Sequence, residues 1–116
     1  MTGEQLHQAL EQQWQGGEFA PFGVSKNVRY TYDASRPEGD RAGPKDVLID
    51  GKPLDVSRTY RLAALAYTLI GADGYTAFNG FGQAYRNDLP DHEAFVAYLK
   101  ARKTITPAPL DRVASR

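Results

Sequence analysis

Asp50-Gly51 directly follows the apolar run Val47-Leu48-Ile49, and this juxtaposition constrains the fold more than any other local feature. Both central residues of a type I′ turn need positive φ, which aspartate tolerates and glycine adopts freely, so such a dipeptide behind a short buried run marks a β-hairpin. Two further strands are expected. Val28, Tyr30 and Tyr32 alternate with Arg29 and Thr31, the pattern of a strand with one buried face. Thr59 to Leu65 reads as another, with Tyr60, Leu62 and Ala64 on one side. Pro37-Glu38-Gly39-Asp40 fills the connection from Asp33 to Arg41 with turn formers.

Two helices bracket these strands. Thr2 and Gln5 have capping-box spacing, and Leu6, Ala9, Leu10 and Trp14 recur on one helical face behind them. Gly16 and Gly17 end the helix. After Pro90, Asp91 is placed to cap a second helix whose inner face carries Ala94, Phe95, Tyr98 and Leu99. Arg102 and Lys103 lie where the helix dipole favours cations. Pro107 and Pro109 stop regular structure, so residues 104–116 are expected to form an extended tail. The pattern predicts one α+β domain over residues 1–116, with a mostly antiparallel sheet and two main helices packed on it.

Composition removes several classes of function. The 116 residues include no cysteine, which excludes disulfides, thiolate metal sites and a cysteine nucleophile within them. Lys+Arg and Asp+Glu both number 14, so the basic excess of a general nucleic-acid binder is missing. No apolar run reaches the roughly 20 residues of a membrane span. The polar start Met1-Thr2-Gly3-Glu4-Gln5 is not a signal peptide, so the chain is either cytosolic or a piece of something larger. His7 and His92 are the only imidazoles, and both read as solvent-facing or rim residues. No HxH, HExxH or phosphate-loop pattern occurs, and Asp88 and Asp91 read as turn and cap. No catalytic or metal-ligating residue is assigned.

The segment Ala66 to Gly82 stands apart. Gly71, Gly74, Gly80 and Gly82 are interleaved with Tyr67, Tyr75, Phe78 and Phe81, the makings of a loop that approaches something closely. Within it, Gly71-Ala72-Asp73-Gly74-Tyr75 offers a carboxylate and Tyr67 and Tyr75 offer flat rings on which a base can stack, each stack worth roughly 1–3 kcal/mol. The alternative is an Asp73 that closes its own Asx-turn and tyrosines that belong to the core.

The order of these motifs resembles the C-terminal domain of the 5′-nucleotidase family, the metal-dependent phosphohydrolases that include UDP-sugar hydrolases and 2′,3′-cyclic phosphodiesterases. Thr2-Gly3-Glu4-Gln5-Leu6 with Ala9-Leu10-Glu11 resembles the family's helix start. Val28-Arg29-Tyr30-Thr31-Tyr32-Asp33, then Gly39-Asp40-Arg41, resembles its "RYTYD…GxR". Val47 to Asp55 followed by Thr59-Tyr60-Arg61-Leu62-Ala63 resembles "GxPLDxxKTYRVA". Tyr67 with Gly71-Ala72-Asp73-Gly74-Tyr75 resembles "FLAxGGDGY".

The resemblance implies a recognition domain that binds a nucleotide or nucleoside but is not catalytic alone. It implies a partner N-terminal metallophosphoesterase domain with a divalent metal pair of the Zn, Mn, Mg or Ca type, no cofactor in this chain, and an exported parent protein. Two rings sandwich the base in that family. Tyr67 stands at the second ring position and Asp73 at the loop aspartate, with Gly71, Gly74 and Tyr75 completing the substrate-binding loop. The first ring comes from a strand ahead of the "TG" helix and has no counterpart here. Leu65 and Ala66 replace a family Asn and its polar neighbour, Tyr67 replaces Phe, and Ala72 replaces Gly. A sheet without that strand exposes an edge, through which a homodimer is expected.

Overall fold

The computed structural model describes residues 1–79 and 89–116. Gly80, Phe81, Gly82 and Asp88, named above, lie outside them. The fold is α+β. Strands β1 (Val28–Tyr32), β2 (Val47–Ile49), β3 (Lys52–Pro53) and β4 (Val113–Ser115) form one sheet in the order β3-β2-β1-β4. The helices are α1 (Gly3–Glu11), the single turn α2 (Ala66–Leu69) and α3 (Asp91–Arg102).

The hairpin forms where Asp50-Gly51 places it. Asp50 has φ 52° and Gly51 φ 74°, and β2 pairs antiparallel with β3 through Leu48↔Pro53 and Ile49↔Lys52. Its second strand is only two residues long, too short for an alternation to register in the sequence. Pro53 is tolerated because β3 is an edge. β1 pairs antiparallel with β2, and Tyr30 stands opposite Val47. The segment expected to be merely extended supplies β4, which pairs parallel with β1 through Tyr30↔Val113 and Tyr32↔Ser115.

Helix α1 begins with the capping box in full: Gln5 N–H donates to Thr2 Oγ1, and Thr2 N–H donates to Gln5 Oε1. It continues as 3-10 turns from Gln12 to Gly17, ending at Gly16 and Gly17 with positive φ. Its apolar face carries Leu10 and Trp14 into the main core with Tyr30, Ala42, Val47 and Leu54. Ala9 joins a second cluster with Tyr75 and Phe78. Truncating a residue like Trp14, 2% exposed, would cost about 3–5 kcal/mol.

Three local expectations are corrected. Thr59–Leu65 is not a strand: Thr59 forms an isolated bridge to Thr2 and Tyr60 exchanges backbone bonds with Met1, and among the described residues no strand pairs with the remainder. In α3, Phe95, Tyr98 and Leu99 are not an inner face, being 60%, 49% and 37% exposed. Asp91 is the first helical residue, not the cap; the cap position is Pro90, and Asp91 Oδ1 accepts from the His92 N–H.

Candidate functional site

Tyr67 lies on α2 and is 58% exposed. Its hydroxyl donates to Asp73 Oδ1 at 3.3 Å, so the ring and the carboxylate form one exposed unit. The loop that carries Asp73 turns sharply: Gly71, Asp73 and Gly74 have φ of 81°, 56° and 82°. Aspartate is among the few side chains that enter this left-handed region readily. Gly71 is favoured by its positive φ, and a Cβ there would also lie 2.8 Å from Asn79 Oδ1, so that side chain would have to move.

Tyr75 is placed otherwise than its motif position implies. It is 9% exposed, its ring centroid lies 4.2 Å from that of Phe22, and its hydroxyl donates to the Ala20 carbonyl at 2.8 Å. Burial pushes its hydroxyl pKa up. The ring anchors the loop to the core rather than presenting a face. Phe78 packs beside it, 7% exposed.

Gln12, which the sequence reading did not single out, holds the same loop from α1's end. Its Nε2 donates to Thr76 Oγ1 and its Oε1 accepts from the Ala77 N–H, both at 2.8 Å. The sequence carried no signal for this, because a glutamine at a helix end reads as solvated. The loop thus rests on one amide clamp and two buried rings, while Tyr67 and Asp73 remain outside. Leu65, at 55%, and Ile70, at 70%, are exposed beside them.

A second polar assembly fastens α1 to the sheet. Glu11, 7% exposed, accepts from the Arg41 and Ala42 N–H groups at 3.1 and 2.6 Å. His7 Nε2 lies 3.0 Å from the Ala42 carbonyl and 3.7 Å from Glu11 Oε1. His7 is therefore tucked against the 41–42 turn, not solvent-facing, while His92 remains exposed. The Glu11 carboxylate beside it holds the His7 imidazole above its ordinary pKa, against burial. Burial raises the Glu11 carboxyl, but the nearby His7 imidazole and the bonds from the Ala42 and Arg41 N–H groups outweigh it and leave the pKa lowered.

Among the described residues, no group of three His, Asp or Glu side chains could hold a metal ion. The divalent pair implied by the resemblance has no donor set here, and no hydrolytic step is assigned to these residues. No helix among them is long and apolar enough to cross a membrane.

The family model of the 5′-nucleotidase C-terminal domain matches residues 1–80. Protein UshA of Yersinia enterocolitica is 36% identical over 61 residues, which cover 53% of this chain and 11% of that protein. The crystal structure of a 5′-nucleotidase precursor from Thermus thermophilus superposes with a TM-score of 0.81 at 32% identity, covering 99% of this chain and 24% of the other. The sulfate thiohydrolase SoxB of a Thermus species, in complex with glycerol, shares the fold with a TM-score of 0.69 at 22% identity over 99% of this chain and 21% of its own. The chain therefore spans a quarter or less of these relatives. With residues 1–80 matched in order and the fold shared throughout, the chain belongs to the 5′-nucleotidase C-terminal domain family.

Proposed function

We propose that this domain recognises the nucleoside part of a substrate whose phosphate ester is hydrolysed by another domain of an exported 5′-nucleotidase-type enzyme. The observation that carries the reading is the exposed Tyr67 ring hydrogen-bonded to Asp73 on a loop whose other described aromatic residues, Tyr75 and Phe78, are buried. An exposed ring offers a stacking face, and a carboxylate beside it accepts hydrogen bonds from sugar hydroxyls or a base amino group. Gly71 and Gly74 let the backbone turn tightly enough to hold Asp73 against the ring, and Tyr75 fixes the loop to the core. The metal pair of such an enzyme would activate water and stabilise charge on the phosphoryl oxygens.

The test is an NMR titration of the 116-residue chain with AMP, adenosine and UDP-glucose. Shifts at Tyr67 and Asp73 are expected with at least one of them. Tyr67→Ala should weaken that binding about tenfold to a hundredfold, the worth of one stacked ring. Tyr67→Phe should retain most of it, because the face survives and only the bond to Asp73 is lost. Silence at millimolar ligand would favour a second reading, an interaction module, for which Leu65 and Ile70 provide exposed apolar surface next to Tyr67.

A further inference from the structure

Gly71 leaves a notch in the loop behind α2, and Asn79 fills it. A Cβ on Gly71 would lie 2.8 Å from Asn79 Oδ1, 3.2 Å from Nδ2 and 3.4 Å from Cγ, so the whole Asn79 carboxamide stands where another residue would carry its side chain. The backbone fixes it there: the Asn79 N–H donates to the Thr76 carbonyl at 2.9 Å, and Phe78 just before it is buried beside Tyr75. Asn79 is exposed, and among the described residues no hydrogen bond reaches its side chain. A donor and an acceptor are therefore held side by side and unspent. They lie on the loop that carries the other candidate groups. Gly71 directly follows α2, its N–H donating to the Thr68 carbonyl at 3.1 Å, and comes one helical turn after Tyr67. The bond from the Tyr67 hydroxyl to Asp73 draws that ring toward the same loop. The loop thus carries a flat ring, a carboxylate that only accepts and an amide that both donates and accepts.

We infer that Asn79 reads the base of the nucleoside, and that the base carries an amino donor beside a ring acceptor, as adenine does. A carboxamide meets that pair at two points: its oxygen accepts from the amino group while its NH₂ donates to the neighbouring ring nitrogen. Tyr67 cannot make this choice, because every base has a π-face and stacking tolerates them all. Asp73 cannot make it either, because a carboxylate accepts from the amino group but has no proton for the ring nitrogen. Tyr67 therefore supplies affinity and Asn79 supplies selectivity. The inference rests on the nucleoside reading of Tyr67 and Asp73 and deepens it to the kind of base.

The experiment titrates the 116-residue chain with adenosine and with purine riboside, the same nucleoside without its amino group, and follows both by NMR. In Asn79→Ala the preference for adenosine over purine riboside should fall at least about fivefold, the low end of what one two-point contact discriminates. The loss should fall on adenosine, with the affinity for purine riboside unchanged. Tyr67→Ala should weaken both nucleosides alike. An unchanged preference in Asn79→Ala, or equal weakening of the two nucleosides by it, would overturn the inference and leave stacking at Tyr67 in place. Failure of the wild-type chain to bind either nucleoside would overturn the nucleoside reading and this inference with it.

Discussion

Gly3 shows how one side chain's absence can hold two segments together. A Cβ at this position would lie 2.1 Å from the Asp55 carbonyl oxygen and 2.9 Å from the Val56 Cα, both backbone. The contact lets Gly3 N–H reach the Arg58 carbonyl and Glu4 N–H reach the Val56 carbonyl, so α1 starts directly on the 55–58 turn. Gly3→Ala is expected to cost about 1–3 kcal/mol by forcing that backbone apart, read as a lower urea midpoint with unchanged slope. Gln13 makes the complementary case. It is 1% exposed; its Nε2 donates to the Leu10 carbonyl, and its Oε1 accepts from both the Phe22 N–H and the Tyr30 hydroxyl. Burial pushes the Tyr30 hydroxyl pKa up to about 12 despite that bond. Gln13→Leu should destabilise by about 1–3 kcal/mol for each donor left buried without an acceptor. Leu10 and Trp14 were legible in the sequence, because helical spacing marks apolar residues. Gln13 was not, since its value lies in partners 9 and 17 residues away that periodicity does not reveal. Tyr67 and Tyr75 looked alike as neighbouring rings in a glycine-rich run; only packing against Phe22 separates the buried one from the exposed one.

Elements form where local sequence and a partner agree. The capping box of α1 and the Asp50-Gly51 turn are local chemistry, and both appear in place. Thr59–Leu65 has strand-forming sequence but remains unpaired past Tyr60, because a strand is completed by a neighbour that no local pattern supplies. Docking of α1 on the sheet depends on His7 and Glu11 at the 41–42 turn, and these two make it pH-dependent. His7 has a folded pKa raised above its ordinary 6.5, so its contribution is complete below that value and fades as pH rises through the folded pKa. Glu11 has a folded pKa lowered from its ordinary 4.5, so its contribution is complete above that value and fades on acidification through the folded pKa. The pair therefore stabilises most between about 4.5 and 6.5. Thermal midpoints of wild type and His7→Gln, measured from pH 4 to pH 9, should differ most inside that window and converge above it. A difference independent of pH would show that the imidazole acts by packing alone, and one that grows with alkalinity that burial outweighs the contact with Glu11.

At the scale of the whole molecule, apolar surface is unevenly used. The radius of gyration is 15.2 Å, above the about 13.4 Å of a compact chain of this length. None of the residues of α3 is buried, although Phe95, Val96, Tyr98 and Leu99 lie along it. The chain beyond it returns to the sheet: Tyr30 N–H donates to the Arg112 carbonyl, Arg116 N–H to the Tyr32 carbonyl, and Val113 packs on the main core. Arg116 also pairs with Asp46, and Arg112 reaches the Val24 carbonyl. β4 thus closes the edge of the central strand, while α3, though longer and richer in large apolar side chains, contributes little burial. Stability should follow this division. Phe95→Ser and Leu99→Ser should each change the unfolding free energy by no more than about 0.5 kcal/mol, as exposed substitutions do. Ending the chain after Arg112 removes β4 with its ladder to β1, the Arg116 N–H bond to Tyr32, the Arg116–Asp46 ion pair and the Val113 packing, and should cost at least about 2–4 kcal/mol. Urea unfolding of the three variants decides the matter. If the serine substitutions cost as much as the loss of β4, α3 is packed in solution and belongs to the folded core.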